Sequence, residues 1–287
     1  MRVCRRSLQS SFYKRSTPWA TIFFHNGKEG DPDLIHLVTA TNDAYALPLG
    51  VMLKSLFVNK TLEHPITIYI LHGALSDKNK RNLEKVVRKY QQQPIFLPIT
   101  DPIFSELRET HYITKEMYYR IAIPDLLDPE VKKALYLDCD LIVKEDISEL
   151  WNTNIDDYFV AAVESICARG RKYELLIPDE YGYFNSGVLL INVEKWREHQ
   201  IAAKVFEFIQ THPETLVHPD QDALNAILYN KWLPLDPKWN YTTGHATSLR
   251  LNTKPAIIHF TGKKKPWNAS HPLAKQYFKY QKKVEWD

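Results

Sequence analysis

With 287 residues, 44% of them hydrophobic, the chain can build one large core, or a core with a small lobe. No window approaches the ~18 uninterrupted apolar residues of a membrane span. The three cysteines, Cys4, Cys139 and Cys167, form no CxxC pair, which argues against a disulfide framework or a thiolate zinc site and for a reducing compartment, the cytoplasm. The formal charge of +3 divides unevenly: both ends are basic and the body between them is mildly acidic, which argues against a nucleic-acid-binding domain.

Residues 1–28 carry six Lys/Arg and no acid. The twin arginines of "CRRSLQS" lack the apolar stretch that an export signal needs. Residues 1–33 are therefore expected to form a basic, poorly ordered extension. From residue 34 strand and helix signals alternate. "LIHLVTA" (34–40) reads as a strand, 45–57 as a helix with Pro48 in its first turn, and "ITIYIL" (66–71) as a second strand. Ser76 caps a helix whose Leu83, Val86, Val87 and Tyr90 recur at i, i+3, i+4, i+7. "IFLPI" (95–99), "ALYLD" (134–138), "FVAAV" (159–163) and "GVLLIN" (187–192) read as further buried strands. One helix is expected through Trp196, Ile201, Val205 and Phe208. This alternation predicts an α/β domain with a mostly parallel central sheet flanked by helices. Ligands in such sheets bind beyond the carboxyl ends of the strands, and the first strand ends in Thr-Ala-Thr-Asn-Asp, with no dinucleotide or P-loop glycine pattern.

"ALYLDCDLIV" interrupts an apolar run with Asp138-Cys139-Asp140. Residues i and i+2 of an extended chain point the same way, about 6–7 Å apart, so both carboxylates can reach one divalent ion while Cys139 faces away. Oxygen ligands favour Mg²⁺ or Mn²⁺, and an added imidazole tips the choice to Mn²⁺. His259 stands at the end of the run Ala256 to Ile258, where a strand would deliver it to the same edge. Each feature has a plainer reading: a lone Asp-x-Asp is weak, and a lone His is more often a hydrogen-bonded core residue. Hydrophobic-Asp-x-Asp also opens the aspartate-nucleophile phosphatases, but there a small polar pair usually follows, whereas Leu141-Ile142-Val143 follow here.

Four segments in order, "YLDCDLIV", "YFNSGVLLINVEKWR" (183–197), "HPDQDALN" (218–225) and "IIHFTGKKKPW" (257–267), resemble the retaining glycosyltransferases of family 8, a group that includes bacterial lipopolysaccharide galactosyl- and glucosyltransferases and glycogenin. The resemblance covers roughly residues 34–268. It implies a GT-A fold binding a UDP-sugar and Mn²⁺, with Asp138, Asp140 and His259 as metal ligands. It implies that Gly262 and Lys265 cover the diphosphate. The loop Ala40, Thr41, Asn42, Asp43, Ala44 and Tyr45 would hold the nucleotide, with Tyr45 on uracil. Asn42 and Ala44 depart from the family, which often has an acid and an Asn at these places. Arg120 matches an arginine near sugar and diphosphate, Asn185 and Asp220 match residues that grip sugar hydroxyls, and Gln221 matches the residue facing the anomeric carbon. Gln221 is an amide where double displacement wants a carboxylate. The resemblance thus implies retention by front-face attack, with Asp220 the alternative nucleophile. For Asp220 and Gln221 the plain reading is a helix N-terminus.

In residues 269–287, Leu273, Tyr277, Tyr280 and Val284 fall on one helical stripe, with Lys275, Lys279, Lys282 and Lys283 opposite. Such a helix suits peripheral contact with an anionic inner-membrane face, or packing on the domain with its lysines in water. The expected activity is transfer of glucose or galactose from a UDP-hexose to a glycan, lipid or protein acceptor. The rivals are a non-catalytic UDP-sugar-binding stress protein and the phosphatase.

Overall fold

The first apolar run forms β1 (Ile35–Ala40), and its residues are buried on both faces of the sheet apart from His36, as expected of a strand that helices cover on both sides. The computed structural model describes residues 33–61, 64–109, 113–166, 169–247 and 253–287. The expected extension, save Asp33, lies outside the described residues, as do Cys4 and Cys167. The other strands are β2 (Ile66–His72), β3 (Pro94–Pro98), β4 (Lys133–Leu137), β5 (Leu141–Val143), β6 (Val160–Glu164), β7 (Phe184–Asn192), β8 (Trp232–Pro234), β9 (Tyr241–Thr242) and β10 (Ile257–His259).

Seven strands make the main sheet in the order β3-β2-β1-β4-β7-β6-β8. All neighbours are parallel except β7, which runs antiparallel to β4 and β6. β5, β10 and β9 form a small second sheet in which β10 is antiparallel to β5 and parallel to β9. The chain passes from the main sheet to the small one through Asp138-Cys139-Asp140, between β4 and β5.

Helix Ala46–Asn59 is apolar nearly all round because it is covered on both sides. Leu49, Met52, Leu53 and Leu56 pack against the main sheet, while Val51 joins Ile142, Ile258, Phe260, Tyr277 and Tyr280 in a separate cluster. The terminal stripe is therefore used: helix Ala274–Gln281 turns Tyr277 and Tyr280 into the domain, with Leu273 and Val284 packed against the same cluster. Trp286, off the helical stripe, packs on Gly50. Among the described residues no helix is long and apolar enough to cross a membrane.

Two expectations are corrected. The single helix through Trp196 to Phe208 is two, Val193–Glu198 and Ile201–Thr211, because Gln200 between them adopts φ 52°. β7 begins at Phe184, three residues earlier than the apolar run, since Asn225 clamps the Phe184 backbone with its amide, accepting from the N–H at 2.7 Å and donating to the C=O at 2.9 Å.

Candidate active site

Asp138 and Asp140 flank the crossing between the two sheets, and β10 pairs His259 opposite Leu141, so the imidazole arrives beside them. Phe260 N–H bonds the Asp140 carbonyl at 3.1 Å and fixes that register. Ligand atoms of Asp138, Asp140 and His259 lie within 4.8 Å of one another. His259 Nε2 stands 3.3 Å from Asp140 Oδ1 and 3.6 Å from Asp138 Oδ2.

The tautomer of His259 is set by a chain of hydrogen bonds that starts at backbone. Gly187 N–H donates to Asn185 Oδ1 (3.0 Å), which also accepts from Asn240 Nδ2 (2.8 Å). Asn240 therefore turns Oδ1 to His259, and only an N–H at Nδ1 can bond it, at 2.9 Å. Nε2 is left with its lone pair toward two carboxylate oxygens, an arrangement that needs a second proton or a cation. Two carboxylates and an imidazole so oriented fit a divalent metal. Gly187 is part of the same design, since a Cβ there would lie 2.2 Å from His259 Cε1 and 2.7 Å from Asp138 Oδ2.

Arg120 is buried beneath the cluster, over the Tyr136 ring. Its Nη2 donates to Asp138 Oδ1 (2.8 Å), Nη1 to the Ser186 carbonyl (2.6 Å), and Nε lies 3.2 Å from Asp220 Oδ2. Burial disfavours its charge, but Asp138 and Asp220 outweigh this and hold the guanidinium protonated. Tyr136 also donates to Asp138 Oδ1, at 2.8 Å. Asp138 thus has Oδ1 committed to Arg120 and Tyr136, while Oδ2, with only a long 3.5 Å contact from Arg120 Nη1, turns to His259. Lys265 Nζ pairs with the other Asp140 oxygen, Oδ2. Burial pushes the Asp140 carboxyl up, yet Lys265 and His259 hold it far below the usual carboxylate range. Cys139 packs toward the core, and burial, then Asp140 and Asp138, push its thiol well up.

Asp220, at the start of helix Pro219–Leu228, is buried, and burial raises its carboxyl even with Arg120 beside it. Its Oδ2 accepts from Ser186 Oγ (3.1 Å), while Oδ1 has no hydrogen-bond partner among the described residues. Gln221 Oε1 accepts from Asn185 Nδ2 (2.9 Å) and Ser186 N–H (3.0 Å).

The loop after β1 divides its residues. Ala40 and Thr41 are buried, Ala44 is exposed, and Tyr45 is half-buried with its ring edge-on to Trp267, 5.9 Å between centroids. Asn42 caps the following turn through Tyr45 N–H and donates to Glu116 at 3.0 Å. Asp43 turns away to bind Ser76 and Asn79 at the start of helix Asp77–Arg88, so its carboxylate serves that cap. Gly262, at φ 84°, makes a turn that side chains rarely adopt. Asn240, Gly187, Ser186, Tyr136 and Tyr183 were missed in the sequence. Gly187 and Ser186 stand inside the quoted "YFNSG" segment, whereas Asn240 carries no local signal.

A sheet with its acid pair at the carboxyl end of β4, a His from a second small sheet, and an amide-rich rim define a GT-A glycosyltransferase. The family model of glycosyl transferase family 8 matches residues 36–271, and the chain belongs to that family. General stress protein A of Bacillus subtilis is 39% identical over 273 residues, covering 89% of this chain and 96% of that protein. The lipopolysaccharide 1,3-galactosyltransferase of Salmonella typhimurium is 25% identical over 94% of this chain and 84% of its own length. A crystal structure of galactosyltransferase LgtC with donor and acceptor sugar analogs superposes with a TM-score of 0.79 at 23% identity, covering 87% of this chain and 96% of that one.

Proposed function

We propose that this chain moves a hexose, glucose or galactose, from a UDP-sugar to a hydroxyl of a glycan, lipid or protein acceptor with retention of configuration. The observation that carries the reading is the convergence of Asp138, Asp140 and a His259 whose Nε2 lone pair is turned toward them by Asn240. These three residues would hold Mn²⁺, or Mg²⁺ as the other oxygen-favouring ion, which when bound draws charge from the departing diphosphate as a Lewis acid.

The chain's own groups do the rest. Lys265 supplies a point charge beside the diphosphate position, and Gly262 lets backbone approach it. Tyr45 offers a ring face for uracil, and Asn42 an amide for its edge; the Thr41 to Ala44 loop frames them. Asp220 Oδ1, buried and without a hydrogen-bond partner among the described residues, has lone pairs left for a sugar hydroxyl. Asn185 is held beside Gln221 at the same sugar face. Gln221 there is an amide, which disfavours a covalent glycosyl-enzyme. The bond from C1 to the UDP oxygen breaks as the acceptor oxygen bonds C1 from the same face, and the acceptor proton passes to the departing phosphate. Arg120, buried and ion-paired to both Asp138 and Asp220, holds them in register from beneath the sugar position.

The test is UDP release from UDP-glucose and UDP-galactose with Mn²⁺, alone and with mixed glycan and lipid acceptors. Release that Asp140→Asn abolishes is the expected result. UDP-sugar binding without turnover would instead support a non-catalytic sensor, and phosphate release from small esters with indifference to UDP would support a phosphatase. Peripheral membrane contact, if made, would use the terminal lysines, because the apolar stripe is packed in the domain.

A further inference from the structure

We infer that Asp222, acting through Tyr183 and braced by Arg171, is a positioning residue that determines which end of the Gln221 amide meets the transferred sugar. This deepens the reading above and rests on Gln221 standing at the sugar face.

Asp222 follows Gln221 on helix Pro219–Leu228 and is fully buried. Its Oδ2 accepts from the backbone N–H groups of Val217 (2.7 Å) and His218 (2.9 Å) and from Arg171 Nη2 (2.7 Å). Its Oδ1 accepts from Arg171 Nε (3.2 Å) and from Tyr183 Oη (2.6 Å). A carboxylate only accepts, so the Tyr183 proton must lie toward Asp222. The phenol oxygen is then left as an acceptor, and it takes an N–H from Gln221 Nε2 at 3.0 Å.

The other end of the amide makes the same demand independently. Ser186 N–H can only donate, and it donates to Gln221 Oε1 at 3.0 Å, with Asn185 Nδ2 at 2.9 Å beside it. Flipping Gln221 would turn its NH₂ onto a backbone N–H and its oxygen onto a phenol oxygen that has no proton to give. The lone pairs of Oε1 are therefore occupied by two donors. Among the described residues the second N–H of Nε2 is left over. Gln221 offers the sugar a hydrogen-bond donor, and no electron pair for the anomeric carbon.

Asp222→Asn tests this with little change in shape. The asparagine oxygen must stay toward Val217 N–H, His218 N–H and Arg171 Nη2, so its NH₂ takes the place of Oδ1, giving up the long Arg171 Nε bond and reversing the hydrogen bond to Tyr183. The phenol proton then points at Gln221 Nε2, donor against donor, or the amide flips onto Ser186 N–H. The expected result is a fall of about 10–100-fold in kcat for UDP release, with Mn²⁺-dependent UDP binding within about twofold of wild type because neither ligand is touched. Adding Tyr183→Phe removes the misdirected proton, and the double variant should regain about tenfold; a purely structural Asp222 would give losses that accumulate.

A second readout needs no turnover. The Gln221 side-chain NH₂ resonance, identified by its disappearance in Gln221→Glu, should shift in Asp222→Asn and return toward the wild-type position in the double variant. Wild-type kcat and an unshifted resonance in Asp222→Asn would overturn the proposal. Should the wild-type protein release no UDP, the donor reading fails, and the resonance alone decides whether Asp222 orients the amide.

Discussion

Gly187→Ala is the sharpest test of the site's geometry. The added methyl would sit 2.2 Å from His259 Cε1, 2.8 Å from His259 Nδ1 and 2.7 Å from Asp138 Oδ2. Carbon contacts are comfortable at about 3.5–4.0 Å, so the ring must retreat by more than ~1 Å. His259 has nowhere to go. It is buried, its backbone is held between β5 and β9, and its Nδ1 is bonded to Asn240. Overpacking of this kind costs about 1–3 kcal/mol, which for a chain of this size lowers Tm by several degrees. Displacing Nε2 from the two carboxylates should weaken Mn²⁺ binding by about 10–100-fold, the usual effect of disturbing the groups that support a metal ligand. Thermal unfolding and Mn²⁺ titration, each on Gly187→Ala and wild type, measure the two effects. Wild-type Mn²⁺ affinity together with an unchanged Tm would refute the reasoning.

Asn240→Leu leaves His259 Nδ1 without its acceptor, so Mn²⁺ affinity should fall about 10–100-fold in titration while the fold persists. Arg120→Met strands Asp138 and Asp220 without their buried counter-charge, and a loss of about 3–5 kcal/mol is expected in denaturant unfolding; a loss under ~1 kcal/mol would contradict the role given to Arg120. The raised Cys139 thiol predicts slow alkylation at pH 8 in a Cys4→Ser, Cys167→Ser background, at least about tenfold slower than a free cysteine, with the rate rising as pH increases. Reaction as fast as a free thiol would remove the burial argument.

The Asp138, Asp140 and His259 cluster was legible because its signal is local: the acid pair directly follows the apolar run of β4 and His259 ends another, although residues 138–140 bend between β4 and β5 instead of continuing an extended strand. The supporting polar chain was not, because Asn240, Asn185 and Gln221 meet only after β7, helix Pro219–Leu228 and the small sheet are assembled, and no spacing in the chain links them. The break at Gln200 was hidden for a related reason. Trp196, Ile201, Val205 and Phe208 suit one helix face equally well with or without a left-handed residue between them. At the C-terminus the stripe of Leu273, Tyr277 and Tyr280 was visible, but a stripe does not say what it faces, and here it faces helix Ala46–Asn59 and the small sheet. The loop after β1 shows the same limit. Asp43 looks like a ligand in sequence, yet three hydrogen bonds commit it to the next helix.

The central claim is that Asp138, Asp140 and His259 hold a cation that in turn holds the diphosphate of a uridine donor. Calorimetric titration of UDP into the protein, once with Mn²⁺ and once with EDTA, tests it most directly. Binding with Mn²⁺ that disappears with EDTA is the predicted result, and the same loss is predicted with Mn²⁺ present in Asp140→Asn. Equal UDP binding in both conditions, or none in either, would contradict it.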